Sequence, residues 1–128
     1  MANKENIKLW VDALRSNEYE QGTGSLCKYN KHCCLGVACE VYQKVVGDLS
    51  ITKACGYISA IEYDYESNFL PTKVINWLGL SSKSPISTIP YYDEDTVFKH
   101  TYMELNDKLH YSFKQIADVI ERQYLTND

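Results

Sequence analysis

The sequence predicts a single α+β domain with four to five short helices and two β-hairpins. Its length of 128 residues is close to the commonest domain size and is enough to bury one hydrophobic core. Its composition, 45% hydrophobic and 23% charged, is typical of a folded globular protein. Segments with helical periodicity alternate with short β-favouring runs bounded by glycine and asparagine. We therefore expect one domain over residues 1–128.

Two longer helices are predicted in the first third of the chain. In segment 4–16 four apolar residues recur at helical spacing, and Asn3 is a suitable N-terminal cap. Segment 35–46 is the second predicted helix, and Gly47 is placed to end it. The residues expected to face the core are Ile7, Trp10, Val11, Leu14, Val37, Ala38, Val41, Tyr42 and Val45.

Three shorter helices are predicted further along. Pro71 and Gly79 flank the segment 72–78, and proline at a helix start and glycine at its end are typical boundaries. A short helix is expected over 101–107. The last helix begins at Ser112 with a Ser-x-x-Gln capping box. Its inward residues should be Phe113, Ile116, Ala117 and Ile120, with Val119 at the margin.

Two hairpins are predicted from β-favouring runs separated by turn residues. The first joins 25–29 to 32–34 through Asn30-Lys31, and the second joins 49–52 to 57–61. Segment 81–95 contains two prolines and has no clear period, so we expect an irregular loop there.

Composition excludes several classes of protein. The formal net charge is −4 and the 13 Lys and Arg residues are scattered, so a general affinity for duplex nucleic acid is not expected. No apolar run approaches the roughly 20 residues that cross a bilayer, and no signal-type segment follows the N-terminus, so no membrane association is expected. The five cysteines are an odd number in a chain that can fold without disulfides, which favours free thiols in a reducing compartment.

The cysteine-rich segment is a candidate for a metal site or a reactive thiol. Cys27, Cys33, Cys34 and His32 are close in sequence, but adjacent cysteines on a strand point to opposite faces, which does not suit tetrahedral zinc. No histidine lies in a recognisable nucleophile motif. We expect buried thiols, no bound metal and no cofactor, and we do not expect an enzyme.

A candidate ligand site surrounds the first glycine pair. Gly22-Thr23-Gly24 lacks the rest of a phosphate-binding loop, but charged, aromatic and amide side chains lie near it. Arg15 and Lys28 would hold phosphate, Tyr19 would stack on a base, and Gln21 with the 22–24 backbone would donate hydrogen bonds. Asn106 and Asp107 would close the site, unless they only cap helices. The plainer alternative is that these residues end a helix and solvate a hairpin.

Several segments together resemble a family of small bacteriophage and prophage proteins, mostly of unassigned function. They include WVDALRS at 10–16, CCLGVACE at 33–40, WLGL at 77–80, LND at 105–107 and FKQIADVIE at 113–121. At Asn17 the family is expected to carry glycine. The resemblance implies a protein of the host bacterial cytoplasm and a role in takeover of the host, and it carries over no catalytic residues.

These observations leave three functions open. The first is a homo-oligomeric binding protein that sequesters a small anionic ligand, expected to be a cyclic or modified nucleotide used as a defence signal. The second is a protein that inhibits a host defence enzyme through an acidic, tyrosine-bearing loop. An enzyme that degrades the ligand, the third, has little motif support. The loop of the second hypothesis runs from Pro90 to Phe98, and the residues expected to contact the host enzyme are Tyr91, Tyr92, Asp93, Glu94 and Asp95.

Overall fold

The computed structural model describes residues 2–53, 60–81, 91–93, 96–98 and 101–126. The described part has α+β architecture, with five α-helices and a five-stranded mixed sheet, which confirms the predicted class. The helices are α1 Lys4–Arg15, α2 Cys34–Val45, α3 Thr72–Leu78, α4 Tyr102–Asp107 and α5 Phe113–Ile120. The strands are β1 Glu20–Gln21, β2 Cys27–Lys28, β3 Lys31–His32, β4 Ile51–Lys53, β5 Ala60–Tyr63, β6 Tyr91–Asp93 and β7 Thr96–Phe98.

The strand order of the main sheet is β1-β3-β2-β5-β4. β1 runs parallel to β3, and the other neighbouring pairs are antiparallel. The two predicted hairpins are therefore halves of one sheet, joined where Cys27 of β2 pairs with Ile61 of β5. β1 was not predicted, because a two-residue strand contains no periodicity for a sequence pattern to reveal.

Helix α1 begins where the sequence predicts. The side-chain oxygen of Asn3 accepts a hydrogen bond of 3.1 Å from the backbone N–H of Asn6, which satisfies one of the free amides at the helix start. All four apolar residues expected on the inner face are buried. The helix ends at Arg15, and Asn17 then takes a left-handed backbone conformation with φ of 64°. Glycine and asparagine are the residues that tolerate this conformation best, which explains why Asn17 is accepted there.

The turn of the first hairpin lies one residue earlier than predicted. Tyr29 and Asn30, with φ of 54° and 63°, are its two central residues, and Lys28 pairs directly with Lys31. Positive φ at both positions defines the type I′ turn that matches the twist of a two-residue hairpin. The predicted turn of Asn30-Lys31 was wrong because tyrosine is an unusual residue for the first of these positions.

The adjacent cysteines are at a helix start, not on a strand as predicted. Cys33 is the N-cap of α2, and its sulfur accepts a 3.4 Å hydrogen bond from the backbone N–H of Gly36. Gly36 faces the sheet so closely that an added Cβ would lie 1.8 Å from the carbonyl oxygen of Leu26. Only glycine permits this contact between α2 and β2.

One predicted core residue of α2 is on the surface. Val45 is 56% exposed, while the other four predicted inward residues of this helix are buried. The apolar stripe was extended too far, because Val45 belongs neither to the buried core nor to the side chains packed on it. Gly47 follows the helix with φ of 82°, in agreement with its predicted role.

The later helices agree with the sequence pattern. Gly79 ends α3 in the left-handed conformation, and Thr101 and Ser112 each complete a capping box at the start of α4 and α5. The chain beyond α5 continues as a π-helical segment, Glu121–Leu125, which was not predicted. The predicted inward residues of α5 are all buried.

Segment 81–95 is not wholly irregular. β6 and β7 form a two-stranded antiparallel sheet in which Tyr91 pairs with Phe98 and Asp93 with Thr96. The expectation of a loop was therefore wrong at residues 91–93, where alternation was too short to recognise. Residues 82–90, 94 and 95 lie outside the described part.

Candidate functional site

Six of the nine candidate ligand residues meet at one place. The segment from Gln21 to Gly24 packs against the end of α4, where Asn106 and Asp107 lie. Gln21 extends its amide across this junction. Its nitrogen donates to the side-chain oxygen of Asn106 and to the carbonyl of Tyr111, both at 2.8 Å, and its oxygen accepts from the backbone N–H of Phe113 at 3.2 Å. Both N–H donors and the carbonyl oxygen of the amide are thus bonded within the protein.

Asn106 is the centre of this junction, and its exposed fraction is only 1%. Its amide nitrogen donates to the carbonyl of Gly22 at 2.8 Å and to one carboxylate oxygen of Asp107 at 2.7 Å. The other carboxylate oxygen of Asp107 accepts from the backbone N–H of Gly24 at 3.1 Å. A buried amide is costly unless it is bonded, so this arrangement stabilises the fold. We name it the amide network: Gln21, Gly22, Gly24, Asn106 and Asp107.

A cavity of about 220 Å³ opens beside the amide network. Its lining combines two members of the network with three residues whose side chains make no hydrogen bond to the network. Those three are Thr23, which is exposed, His110 and Tyr111. His110 is held in a left-handed conformation with φ of 54°. The side chains that lack partners within the network are the ones available to a ligand.

Arg15 lies on another surface. Its guanidinium donates to Asp118 at 2.6 Å and to Glu121 at 2.9 Å, joining α1 to the C-terminal helical segment. These two carboxylates, Glu121 first, raise the pKa of Arg15. Both terminal nitrogens of the guanidinium are engaged by carboxylates, and Arg15 is not among the residues that line the cavity, so the structure does not place Arg15 with the rest of the candidate site.

Tyr19 and Lys28 are also separate from the cavity. The ring of Tyr19 packs edge-on against His32, with ring centroids 5.3 Å apart, and the ammonium of Lys44 lies 5.3 Å from its centroid. Lys28 lies on β2, between Lys31 of β3 and Ala60 of β5. Tyr19 and Lys28 are near the same turn in the sequence. In the fold Tyr19 precedes β1 and Lys28 lies on β2, and neither lines the cavity.

A second polar cluster lies between the sheet and α2. The hydroxyl of Tyr63 donates to the carboxylate of Glu40 at 2.6 Å, and the imidazole of His32 is 3.8 Å from the same oxygen. His32 and, next, the Tyr63 hydroxyl lower the pKa of Glu40, although burial acts in the opposite direction. Cys27 is the direct cross-strand partner of His32, so their side chains share one face of the sheet.

The four described cysteines are free and buried, as predicted. Burial raises the pKa of Cys33 to about 12 and raises those of Cys27, Cys34 and Cys39 as well. A thiol is a weak nucleophile until it ionises, so these four are in environments opposite to that of a reactive cysteine. Cys55 lies outside the described residues.

Some functional expectations fall beyond what the structure describes. Glu94 and Asp95 are outside the described residues, and for Tyr91, Tyr92 and Asp93 only the strand is described. Among the residues that are described, no group of three His, Cys, Asp or Glu side chains is arranged to hold a metal ion. Within the same residues, no helix has the length and apolar character needed to cross a membrane.

Comparison with known proteins identifies the family. Residues 2–124 match the model of the family described as Domain of unknown function (DUF8296), and the chain belongs to that family. No curated protein matches the chain. No solved structure matches it either. The functional argument therefore depends on the geometry of the chain itself.

Sequence reasoning did not identify His110 and Tyr111 as site residues. Both lie in the connection between α4 and α5, and nothing in their local pattern distinguishes them from an ordinary turn. A usable signal was the neighbouring Asn106-Asp107 pair, which indicated the right region of the chain. Since Gln21 and Asn106 are 85 positions apart, only the fold shows that they meet.

Proposed function

We propose that this domain is a binding protein that sequesters a small nucleotide-type ligand without catalysis, and that the cavity beside the amide network receives part of the ligand. The observation that supports the proposal most directly is the combination of a fully bonded amide network with an adjoining polar cavity. A network whose amides are satisfied holds the cavity walls in one geometry, and preorganised walls bind without a cost of ordering.

The chemistry of the open side chains suits a nucleotide. Thr23 supplies a hydroxyl, His110 an imidazole and Tyr111 an aromatic ring, and these groups recognise the edge and face of a base. The carboxylate of Asp107 would repel a phosphate, but its two oxygens are already engaged by Gly24 and Asn106. The base, and not the phosphate, is therefore the part of the ligand that this cavity is expected to hold.

The size of the cavity indicates that a single chain is not the whole site. Pockets for complete small ligands typically measure roughly 300–1,000 Å³, and this cavity is about 220 Å³. A cyclic dinucleotide would extend beyond it, and a second copy of the chain would have to cover the rest. Homo-oligomerisation is thus part of the proposal.

The absence of catalysis is proposed on chemical grounds. The four described thiols have raised pKa values, and the carboxylate nearest the cavity is engaged by two N–H donors. The resemblance to phage proteins supports a role against bacterial defence, in the host cytoplasm, with a nucleotide immune signal as the ligand. This last step is by analogy.

The proposal is tested by native mass spectrometry of the purified protein with a panel of cyclic di- and trinucleotides and ADP-ribose derivatives. We expect one nucleotide mass to be retained on an oligomer and released unchanged on denaturation. His110→Ala should lose this mass while keeping the fold, and the exposed Lys108→Ser is the matched control. Retention of no nucleotide, or release of a cleaved product, would contradict the proposal.

A second candidate is inhibition of a host defence enzyme through the β6–β7 hairpin. The observation that favours it is that, among the described residues, β6 and β7 pair only with each other. An isolated two-stranded hairpin is marginally stable, so a partner's surface would stabilise it. Neutralising Asp93, Glu94 and Asp95 together should abolish inhibition under this candidate, and should leave nucleotide retention unchanged under the first.

A further inference from the structure

The end of the sheet at the β2–β3 turn carries features that the fold does not need. We call this surface the basic tip and define it as Lys28, Tyr29 and Lys31. Tyr29 occupies the turn with φ of 54°, a conformation that tyrosine adopts at a cost. Its ring is 55% exposed and belongs neither to the buried core nor to the side chains packed on it.

The charges at the basic tip also oppose stability. Lys28 and Lys31 are direct cross-strand partners, and like charges placed opposite each other destabilise a β-ladder. The carboxylate of Glu20, 3.8 Å from Lys31, offsets one of the two positive charges.

A strained turn, an exposed ring and opposed like charges all cost stability, and features that cost stability often serve a function. The protein as a whole carries a net charge of −4, so this positive surface is local. The ammonium of Lys28 lies 5.9 Å from the centroid of the Tyr29 ring, which places a cation directly beside an aromatic face. An aromatic platform flanked by cations is the arrangement by which proteins bind single strands, with a base on the ring and phosphates on the lysines.

We propose that the basic tip binds single-stranded nucleic acid, independently of the nucleotide cavity. Tyr29 stacks on one base, and Lys28 and Lys31 contact the adjoining phosphates. A single strand is favoured over a duplex because the ring of Tyr29 needs an unstacked base. A single strand is also favoured over an acidic protein, because ion pairs between a protein and the lysines would make no use of the exposed Tyr29 ring.

The experiment is fluorescence anisotropy of a labelled 12-nucleotide oligouridylate titrated with the full-length protein at low salt. Tyr29→Ala and the double variant Lys28→Ser/Lys31→Ser should each weaken binding by about tenfold or more, given the usual effect of losing one stacked base or two phosphate contacts. With two lysines engaged, the logarithm of affinity should fall with that of salt concentration with a slope of about −1.4.

Matched controls separate this surface from general effects of charge and exposure. Tyr65 is 73% exposed and lies in another turn with φ of 66°, away from the lysines, so Tyr65→Ala should leave binding unchanged. Lys108→Ser removes one exposed charge elsewhere and should also have no effect. Tyr29→Trp retains an aromatic ring in the turn, and it should keep binding and show quenched fluorescence on saturation.

Thermal unfolding of each variant checks that the variant is folded. Absence of binding at low salt would overturn the proposal. So would binding that is equally reduced by Tyr65→Ala or Lys108→Ser, or binding that survives Tyr29→Ala in a folded protein. His110→Ala changes only the cavity, so this variant should bind oligouridylate as the unsubstituted chain does. The proposal for the basic tip and the proposal for the nucleotide cavity can therefore be tested separately.

Discussion

The amide network and the basic tip both include residues of the segment 21–31, but their polar residues have opposite effects on stability. In the network Gln21 and Asn106 are buried or half-buried and bond to each other and to backbone groups. At the tip Tyr29 and Lys31 are exposed, Tyr29 takes a strained conformation and Lys31 faces a like charge. These costs are offset in part by exposed contacts, of Lys28 with the Tyr29 ring and of Glu20 with Lys31. The difference teaches that polar residues which converge in a fold often serve stability, whereas those that cost stability are better candidates for binding.

The largest expected effect is on the network. Asn106→Ala removes a buried amide and leaves one N–H of Gln21 and the Gly22 carbonyl without the partner that Asn106 supplies, which should lower the free energy of unfolding by about 2–4 kcal/mol. Urea denaturation measures it. Asn76→Ala, at an exposed position on α3, is the control and should change stability little. A loss under 1 kcal/mol for Asn106→Ala would mean that the network does not hold the fold.

A smaller effect is expected at Glu40, which links α2 to the sheet as the network links α4 to β1. His32 and Tyr63 lower the pKa of Glu40 in the folded state, so its contribution is present above the ordinary carboxyl pKa and is lost as the pH falls through the lowered value. Glu40→Gln should therefore cost about 1–2 kcal/mol at pH 7. The difference from the unsubstituted protein should shrink as the pH is lowered below the ordinary carboxyl pKa. A difference independent of pH would contradict this assignment.

At the basic tip a substitution should increase stability. Asparagine tolerates the left-handed conformation better than tyrosine does, so Tyr29→Asn should raise the free energy of unfolding by about 0.5–1 kcal/mol. Differential scanning calorimetry measures the shift in Tm. Tyr29→Ala removes the ring but keeps the strained conformation, and it should not stabilise. If Tyr29→Asn destabilises the protein, the ring serves the fold and the contrast between the two regions fails.

The smallest effect is expected at Arg15. Its ion pairs with Asp118 and Glu121 are partly exposed, and such pairs usually contribute less than about 1 kcal/mol. Arg15→Ala should therefore lower Tm slightly and leave nucleotide retention unchanged. Asp118→Asn should have a similar small effect on Tm. If Arg15→Ala abolishes retention in a folded protein, the original expectation that Arg15 holds phosphate is restored.

The fold was largely predictable because its helices have long apolar periods and clear caps. Asn3, Thr101, Ser112 and Gly79 define boundaries that local chemistry alone determines. The strands were less predictable, since those of two or three residues contain too few alternations. The turn at Tyr29 was misplaced because its conformation follows from pairing across the sheet and not from the residue itself.

The candidate site was predictable only in part. Gln21, Asn106 and Asp107 were singled out for their polar side chains, and the structure brings them together. Whether such groups bond to each other or remain open depends on contacts between residues 85 positions apart, which a single sequence does not reveal. For the same reason Arg15 was assigned to phosphate, whereas α5 and the π-helical segment supply its partners in the fold.

The central claim is that the cavity beside the amide network binds a ligand while the network itself remains intact. Amide chemical-shift mapping of the ¹⁵N-labelled protein during titration with the retained nucleotide tests it most directly. The account predicts shifts at Thr23, Gly24, His110 and Tyr111, and unchanged resonances at the basic tip. Shifts that spare the cavity and gather at Arg15 or at the β6–β7 hairpin would contradict it.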